Sequence, residues 1–173
     1  MKKILLFLFV FKISIATLFS QNIELNLKSF YGVWNNELSG YYYGGGEIEI
    51  LYEQPLLSGA LRTGLAFRSV DWGNQASINI GYKTAFIVRD KWMLNGTTTA
   101  GIGMALFYKN PQYIWSLGFM PELTWLRKKR MDFNIGIGFR YTSNPAYKNY
   151  GAINQLFEFP LKLGIIYKLK QTS

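Results

Sequence analysis

The chain lacks cysteine and histidine altogether, and it carries little charge for its 173 residues. The absence of cysteine excludes a disulfide framework, and the absence of histidine excludes histidine-based acid–base chemistry and histidine metal ligation. Charged residues make up 17% of the sequence, whereas aromatic residues also reach 17% and hydrophobic residues 49%. We therefore expect no cofactor and no metal site, and a fold that is stabilised without covalent cross-links.

Long apolar runs are also missing, because no stretch after residue 20 offers the roughly 18 consecutive apolar residues of a transmembrane helix. The first 20 residues are typical of a secretory signal peptide, since two lysines precede the apolar run 4–11 and a cleavage site is expected before Gln21. An uncleaved anchor is the alternative, but Lys12 interrupts a stretch that is short for a bilayer. We expect residues 21–173 to form the mature domain.

What the mature chain does contain is alternation with a period of two, which is typical of β-strands with two different faces. In 131–142 every odd position is apolar or aromatic, and the even positions are Asp132, Asn134, Gly136, Gly138, Arg140 and Thr142. Eight such stretches occur, approximately at 23–34, 46–54, 59–70, 76–89, 92–108, 112–126, 131–142 and 155–169. An even number of strands of this length predicts an all-β fold, an eight-stranded antiparallel up-and-down transmembrane β-barrel.

The connections between these stretches alternate in length. Those at 54–58, 89–91 and 127–130 are short and mostly polar or basic, whereas 35–45 and 143–154 are long and rich in Tyr, Asn and Gly. Short periplasmic turns and longer outer loops are typical of bacterial outer-membrane barrels. We therefore expect the two long connections to be outer loops.

The polar face of the strands combines glycines with long charged side chains. A soluble barrel would place its apolar face inside, but eight strands leave an interior just wide enough for side chains, and this apolar face is too continuous to be left in water. The polar face is therefore expected to line the lumen, where acids and bases would pair. The predicted lumen charge network consists of Glu49, Arg62, Arg68, Lys83, Glu122, Arg140, Glu158 and Lys162.

Aromatic residues of the apolar face cluster at the strand ends. Such girdles mark the two membrane–water interfaces of a barrel. The predicted outer girdle comprises Tyr31, Tyr113, Trp115 and Tyr141, and the predicted periplasmic girdle comprises Tyr52, Trp92, Trp125 and Tyr167.

In its general plan the mature chain resembles small eight-stranded outer-membrane proteins, namely the OmpX-like barrels and the transmembrane domain of OmpA. The resemblance implies integration into the bacterial outer membrane after signal-peptide cleavage, with membrane lipid and lipopolysaccharide as surroundings. It implies no catalytic residue.

A second, local resemblance concerns Tyr141-Thr-Ser143-Asn144, which is similar to the His-x-Ser-Asn motif of the lipid A deacylase barrels. In that family the serine is the nucleophile, the histidine is its base and a later glutamate orients the histidine. Here Ser143 and Asn144 match, but Tyr141 occupies the histidine position and Gln155 the glutamate position. A serine needs an adjacent base, so this motif predicts either a chance match or a relative without the chemistry.

Three functions remain open from the sequence. The first is a non-enzymatic barrel that supports the envelope or contacts a surface protein or glycan through 35–45 and 143–154. The second is a lipid A-modifying enzyme with Ser143 as its candidate residue, and the third is a narrow pore, which a filled lumen disfavours. The basic run 127–130 is expected to meet anionic phospholipid rather than nucleic acid.

Overall fold

The computed structural model describes residues 21–36, 39–70, 73–107, 110–126, 130–143 and 155–169. The predicted signal peptide lies outside the described residues. Within the described ranges the secondary structure is entirely β, and no helix there is long and apolar enough to cross a membrane. The strands are β1 (Asn22–Asn36), β2 (Ser39–Leu56), β3 (Gly59–Val70), β4 (Gly73–Val88), β5 (Trp92–Phe107), β6 (Asn110–Trp125), β7 (Met131–Ile137), β8 (Phe139–Ser143) and β9 (Gln155–Lys168).

The sheet is a closed antiparallel barrel. From β1 to β6 each strand pairs with the next, and β9 returns to pair with β1 along thirteen residue pairs, from Asn22↔Lys168 to Trp34↔Leu156. β7 and β8 are two segments of one barrel strand, since both lie between β6 and β9. The barrel therefore has eight strands in up-and-down order, and the all-β fold predicted from the alternation is confirmed.

The interruption between β7 and β8 falls at Gly138, which the sequence pattern did not indicate. The register of β9 brings Pro160 opposite Gly138, and the Gly138 amide donates to the Pro160 carbonyl at 3.0 Å. In an antiparallel ladder every second opposed pair exchanges two hydrogen bonds, but at this hydrogen-bonded pair the proline has no N–H to return. The ladder is therefore half-formed at this position and the strand divides.

Residues 35–45 are not the long loop that their composition predicted. β1 runs to Asn36 and β2 begins at Ser39, and the two strands stay paired to Asn36↔Ser39. Tyrosine has a high strand propensity, and pairing with β1 satisfies the backbone groups along one edge of this segment. The loop assignment for 35–45 was wrong. The second predicted outer loop, 143–154, lies outside the described residues apart from Ser143, which ends β8.

The two walls of the barrel differ as the alternation predicts. In β9 the outward residues Phe159 and Leu163 are 54% and 57% exposed, whereas the inward residues Glu158 and Lys162 are 0% and 1% exposed. The outside is thus apolar and the inside polar. We call the end with the connections 57–58, 89–91 and 126–130 the turn end, and the end with the connections 37–38, 71–72, 108–109 and 144–154 the hairpin end.

Candidate functional site

The first group of lumen charges lies nearer the turn end and converges on Arg62. Its guanidinium contacts Glu24 at 2.7 Å, Glu53 at 2.9 Å and Glu122 at 3.0 Å. Two lysines complete the group, which we call the turn-end cluster: it consists of Glu24, Glu53, Arg62, Lys83, Glu122 and Lys162. The cluster contains three carboxylates and three cations, so it is neutral as a whole.

The second group lies nearer the hairpin end and is built around Glu47 and Glu158. Glu47 contacts Lys28 at 2.8 Å, Arg140 at 2.6 Å and Arg68 at 3.2 Å. Glu158 contacts Arg140 at 2.6 Å and also pairs with Arg68. With Glu49, which Lys28 reaches at 2.7 Å, these residues form the hairpin-end cluster: Lys28, Glu47, Glu49, Arg68, Arg140 and Glu158.

Two asparagines flank Gly164, and each binds one of the two clusters. Asn26 donates to Glu49 at 3.0 Å in the hairpin-end cluster, and Asn134 donates to Glu24 at 2.7 Å in the turn-end cluster. Both asparagines are register partners of Gly164, where an added Cβ would lie 2.1 Å and 2.2 Å from their side-chain oxygens. Glycine is therefore required here because the two amides occupy the space of a side chain.

The lumen is filled rather than open. A cavity of about 30 Å³ lies between the clusters, with Lys28, Glu49 and Arg62 in its wall. This volume holds roughly two water molecules and no larger solute. Within the described residues the geometry offers paired charges that fill the interior and stabilise the barrel.

Aromatic residues close the hairpin end of the lumen. Tyr43 is 3% exposed and its hydroxyl donates to Glu158 at 2.8 Å, while its ring meets Phe30 edge-on at 6.3 Å. The Arg68 guanidinium lies 4.4 Å from the centroid of Phe30. Gly32 makes room for this arrangement, because a Cβ there would lie 2.1 Å from the Tyr43 ring. The predicted loop tyrosine is thus an inward strand residue that seals the lumen.

All eight residues of the lumen prediction lie inside the barrel and belong to one of the two clusters. Four further members were missed from the sequence, namely Glu24, Lys28, Glu47 and Glu53. The signal was available, because each has the parity of an inward residue on its own strand.

The predicted girdle residues lie on the outer wall at the two ends. Tyr31, Tyr113 and Trp115 at the hairpin end are 54%, 79% and 39% exposed. Trp125 and Tyr167 at the turn end are 45% and 39% exposed. The other three girdle residues are half-buried on the same wall: Tyr52, Trp92 and Tyr141.

Ser143 ends β8 on the outer wall, in register with Trp115, and is 8% exposed. Tyr141, at the histidine position of the motif, packs between Trp115 and Phe157 with ring centroids 5.3 Å from each. Glu158, the first carboxylate after the motif, faces the lumen and is held there by Arg68 and Arg140. Asn144 lies outside the described residues.

Similarity to solved structures concerns the fold. Neisserial surface protein A is similar, with a TM-score of 0.57 and 9% identity, over 84% of this chain and 96% of that chain. This chain has the fold of a small outer-membrane β-barrel. The attachment invasion locus protein Ail of Yersinia pestis, a further solved structure, gives a TM-score of 0.48 and 12% identity, over 87% of this chain and 98% of that chain. No protein-family model and no curated protein matches the small barrel described here.

Proposed function

We propose that this chain is a non-enzymatic integral protein of the bacterial outer membrane, which binds a surface partner through the edge of its β1–β2 hairpin. Its outer wall supports the membrane location. Large apolar side chains such as Leu27, Phe67, Ile102 and Leu163 are 57–68% exposed on four different strands. An apolar wall of this extent is stable in lipid and not in water.

The projecting hairpin is the observation that carries the binding role. β2 pairs with β3 only from Gly45↔Val70 onward, whereas it continues to pair with β1 as far as Ser39. Residues 39–44 therefore extend beyond β3, and within the described part of the chain no strand pairs with their second edge. Six residues of strand make this edge about 20 Å long.

An unpaired strand edge binds extended polypeptide by adding a strand to the sheet. The backbone supplies the affinity, and the alternating side chains of the edge select the partner. The proposed partner is therefore a segment of a surface protein in extended conformation. A glycan partner, which the sequence left open, does not use backbone edges in this way.

The location and orientation can be tested with two serine-to-cysteine variants in a chain that has no cysteine of its own. Ser39 lies at the hairpin end and Ser58 in the opposite turn. We expect a membrane-impermeant maleimide to label Ser39→Cys on intact cells and to label Ser58→Cys only after permeabilisation. The reverse pattern would invert the orientation, and recovery of the protein in the soluble fraction would contradict the membrane location.

The edge can be tested by proline substitution at Tyr41 and Tyr42, because N–H groups of successive strand residues point to opposite edges. By the register, the N–H of Tyr41 faces β1 and the N–H of Tyr42 faces the free edge. We expect only Tyr42→Pro to abolish capture of extended peptides from a displayed peptide library while the barrel stays folded. Tyr41→Ala and Tyr42→Ala control for the side chains, and equal capture by all four variants would contradict edge binding.

The alternative of a lipid A deacylase lacks an activated serine. Glu158 is bound inside the lumen, and the chain contains no histidine. General-base assistance contributes about 10²–10⁴-fold to such reactions. We expect no release of hydroxy fatty acid when the pure barrel is incubated with lipid A and analysed by mass spectrometry. Release that disappears in Ser143→Ala would make the enzyme the better hypothesis.

A further inference from the structure

Among the residues that the structure describes, exposed positive charge lies at one end of the barrel. Of the lysines and arginines in the described ranges, only Arg89, Lys91 and Arg130 are exposed, and all three lie at the turn end. The other described cations belong to the two lumen clusters, except Lys168, which contacts Asp132 at 2.9 Å. We call Arg89, Lys91 and Arg130 the basic arc.

Backbone hydrogen bonds join the connections that carry the basic arc along part of the rim. The Leu126 amide donates to the Lys91 carbonyl at 2.9 Å, and the Lys168 amide donates to the Arg130 carbonyl at 2.8 Å. These two bonds tie the connection 89–91 to the connection 126–130, and the latter to β9. By sequence alone, the second connection contains three more cations at 127–129. The remaining turn, at 57–58, consists of leucine and serine and carries no charge.

The arc lies just beyond the edge of the apolar wall. Arg89 follows Val88, which is 62% exposed, and Arg130 precedes Met131, which is 47% exposed. Lys91 precedes Trp92, which pairs with Trp125 in the neighbouring strand. Since such aromatic residues mark the headgroup level of a membrane, the cations lie at the depth of the lipid phosphates.

The opposite end of the barrel has no comparable excess of cations. By sequence its connections contribute two acids and two bases, Glu37, Asp71, Lys109 and Lys148. At the turn end, Asp90 is the exposed carboxylate among the described residues, beside the three cations of the arc. The asymmetry therefore distinguishes the two leaflets that the barrel would contact.

We propose that the basic arc binds the phosphate groups of anionic phospholipids in the leaflet at the turn end. The proposal rests on the proposed membrane location. Arginine and lysine beside a membrane surface attract anionic headgroups, and guanidinium groups bind phosphate oxygens with paired hydrogen bonds. The arc selects the lipids next to β4–β9, whereas the uncharged turn at 57–58 leaves the lipids beside β2 and β3 unselected.

Tryptophan fluorescence offers a local readout, because Trp92 and Trp125 lie beside the arc. Replacement of Trp34, Trp72 and Trp115 by phenylalanine leaves these two as turn-end reporters. The protein is reconstituted in phosphatidylcholine vesicles that contain either brominated phosphatidylglycerol or brominated phosphatidylcholine as quencher. A second chain, in which Trp115 is the sole tryptophan, reports on the hairpin end.

We expect the turn-end reporters to show a binding constant for phosphatidylglycerol about tenfold above that for phosphatidylcholine at low salt. The preference should fall toward one at about 0.5 M salt, where the screening length shrinks to a few ångströms. The hairpin-end reporter should show no preference. Equal quenching by the two lipids at the turn end would overturn the proposal.

Matched variants test whether the arc itself is responsible. Lys91→Gln with Arg130→Gln removes two cations from the arc, and Lys109→Gln with Lys148→Gln removes two from connections at the opposite end. We expect the first pair to lower the phosphatidylglycerol preference about fivefold and the second to leave it unchanged. A preference that survives the arc variant would overturn the proposal. Absence of quenching by either lipid would overturn the membrane location as well.

Discussion

In the turn-end cluster three carboxylates converge on a single guanidinium, whereas in the hairpin-end cluster Glu47 contacts three cations and shares two of them with Glu158. Both clusters contain equal numbers of acids and bases. They differ in the sign of the central residue and in its redundancy. Arg62 alone binds three acids, but Arg68 and Arg140 are each held by both Glu47 and Glu158.

The comparison shows that a buried charge network can be neutral and still differ in how well it tolerates the loss of one member. A buried ion pair costs desolvation energy, and the attraction between its members offsets that cost only while all partners are present. Removal of a central residue leaves its partners charged and poorly compensated. The variants should therefore rank by how much charge and hydrogen bonding the partners of the replaced residue lose.

The largest expected effect belongs to Arg62→Met. Glu24, Glu53 and Glu122 would retain only the two lysines of the turn-end cluster, and we expect a loss of about 4 kcal/mol in the free energy of unfolding. Urea unfolding of the barrel in lipid vesicles, followed by tryptophan fluorescence, measures this loss. Arg62→Lys is the control and should lose less, because it keeps the charge but not the forked geometry. Equal losses for the two variants would show that geometry and not charge is decisive.

Glu47→Gln should cost about 3 kcal/mol, which is less than Arg62→Met. Arg68 and Arg140 keep Glu158, and Lys28 keeps Glu49 at 2.7 Å, so no cation is left without a close carboxylate. The same urea titration applies. A loss greater than that of Arg62→Met would contradict the ranking by redundancy.

Tyr43→Phe tests the aromatic seal at the hairpin end. It removes the hydroxyl that donates to Glu158 at 2.8 Å. The aromatic ring stays in place, and so do Arg68 and Arg140, the two arginine partners of Glu158. We expect a loss of about 1.5 kcal/mol, the value typical of a hydrogen bond to a charged group. Tyr31→Phe, on the outer wall, is a control that should lose less. If both variants lost a similar amount of unfolding free energy, the hydrogen bond between Tyr43 and Glu158 would not be the cause.

The smallest effect is expected for Asp132→Asn. Its partner Lys168 is 28% exposed in its side chain, so solvent replaces the ion pair at little cost. We expect a change below about 1 kcal/mol. A loss as large as that of Glu47→Gln would mean that burial does not determine how much these ion pairs contribute to stability.

Alternation along each strand was sufficient to predict the barrel and the inward position of residues such as Arg62 and Glu122. A period of two determines the face of every residue once one face is known to meet lipid. The same parity, applied to the first two strands, would also have included Glu24 and Glu47. These residues could have been identified from the sequence.

The partners of these charges could not be predicted from the sequence. Glu47 on β2 meets Arg140 on β8 across the lumen, a contact that depends on how far the strands are staggered when the sheet closes. Local patterns do not contain this stagger. Composition was also misleading at 39–44. A loop-like Tyr and Gly content continues β2 there, because one edge of the segment pairs with β1.

The missing N–H of Pro160 also has a consequence for the dynamics of the wall. The carbonyl of Gly138 receives no bond from its opposite residue, so the seam between β7–β8 and β9 is interrupted midway between its ends. Local opening begins where hydrogen bonds are fewest. In amide hydrogen exchange, the residues of β8 and the facing part of β9 should lose protection before those of β4 and β5. The barrel wall would then open locally between β8 and β9, next to the β1–β9 pairing that closes the barrel.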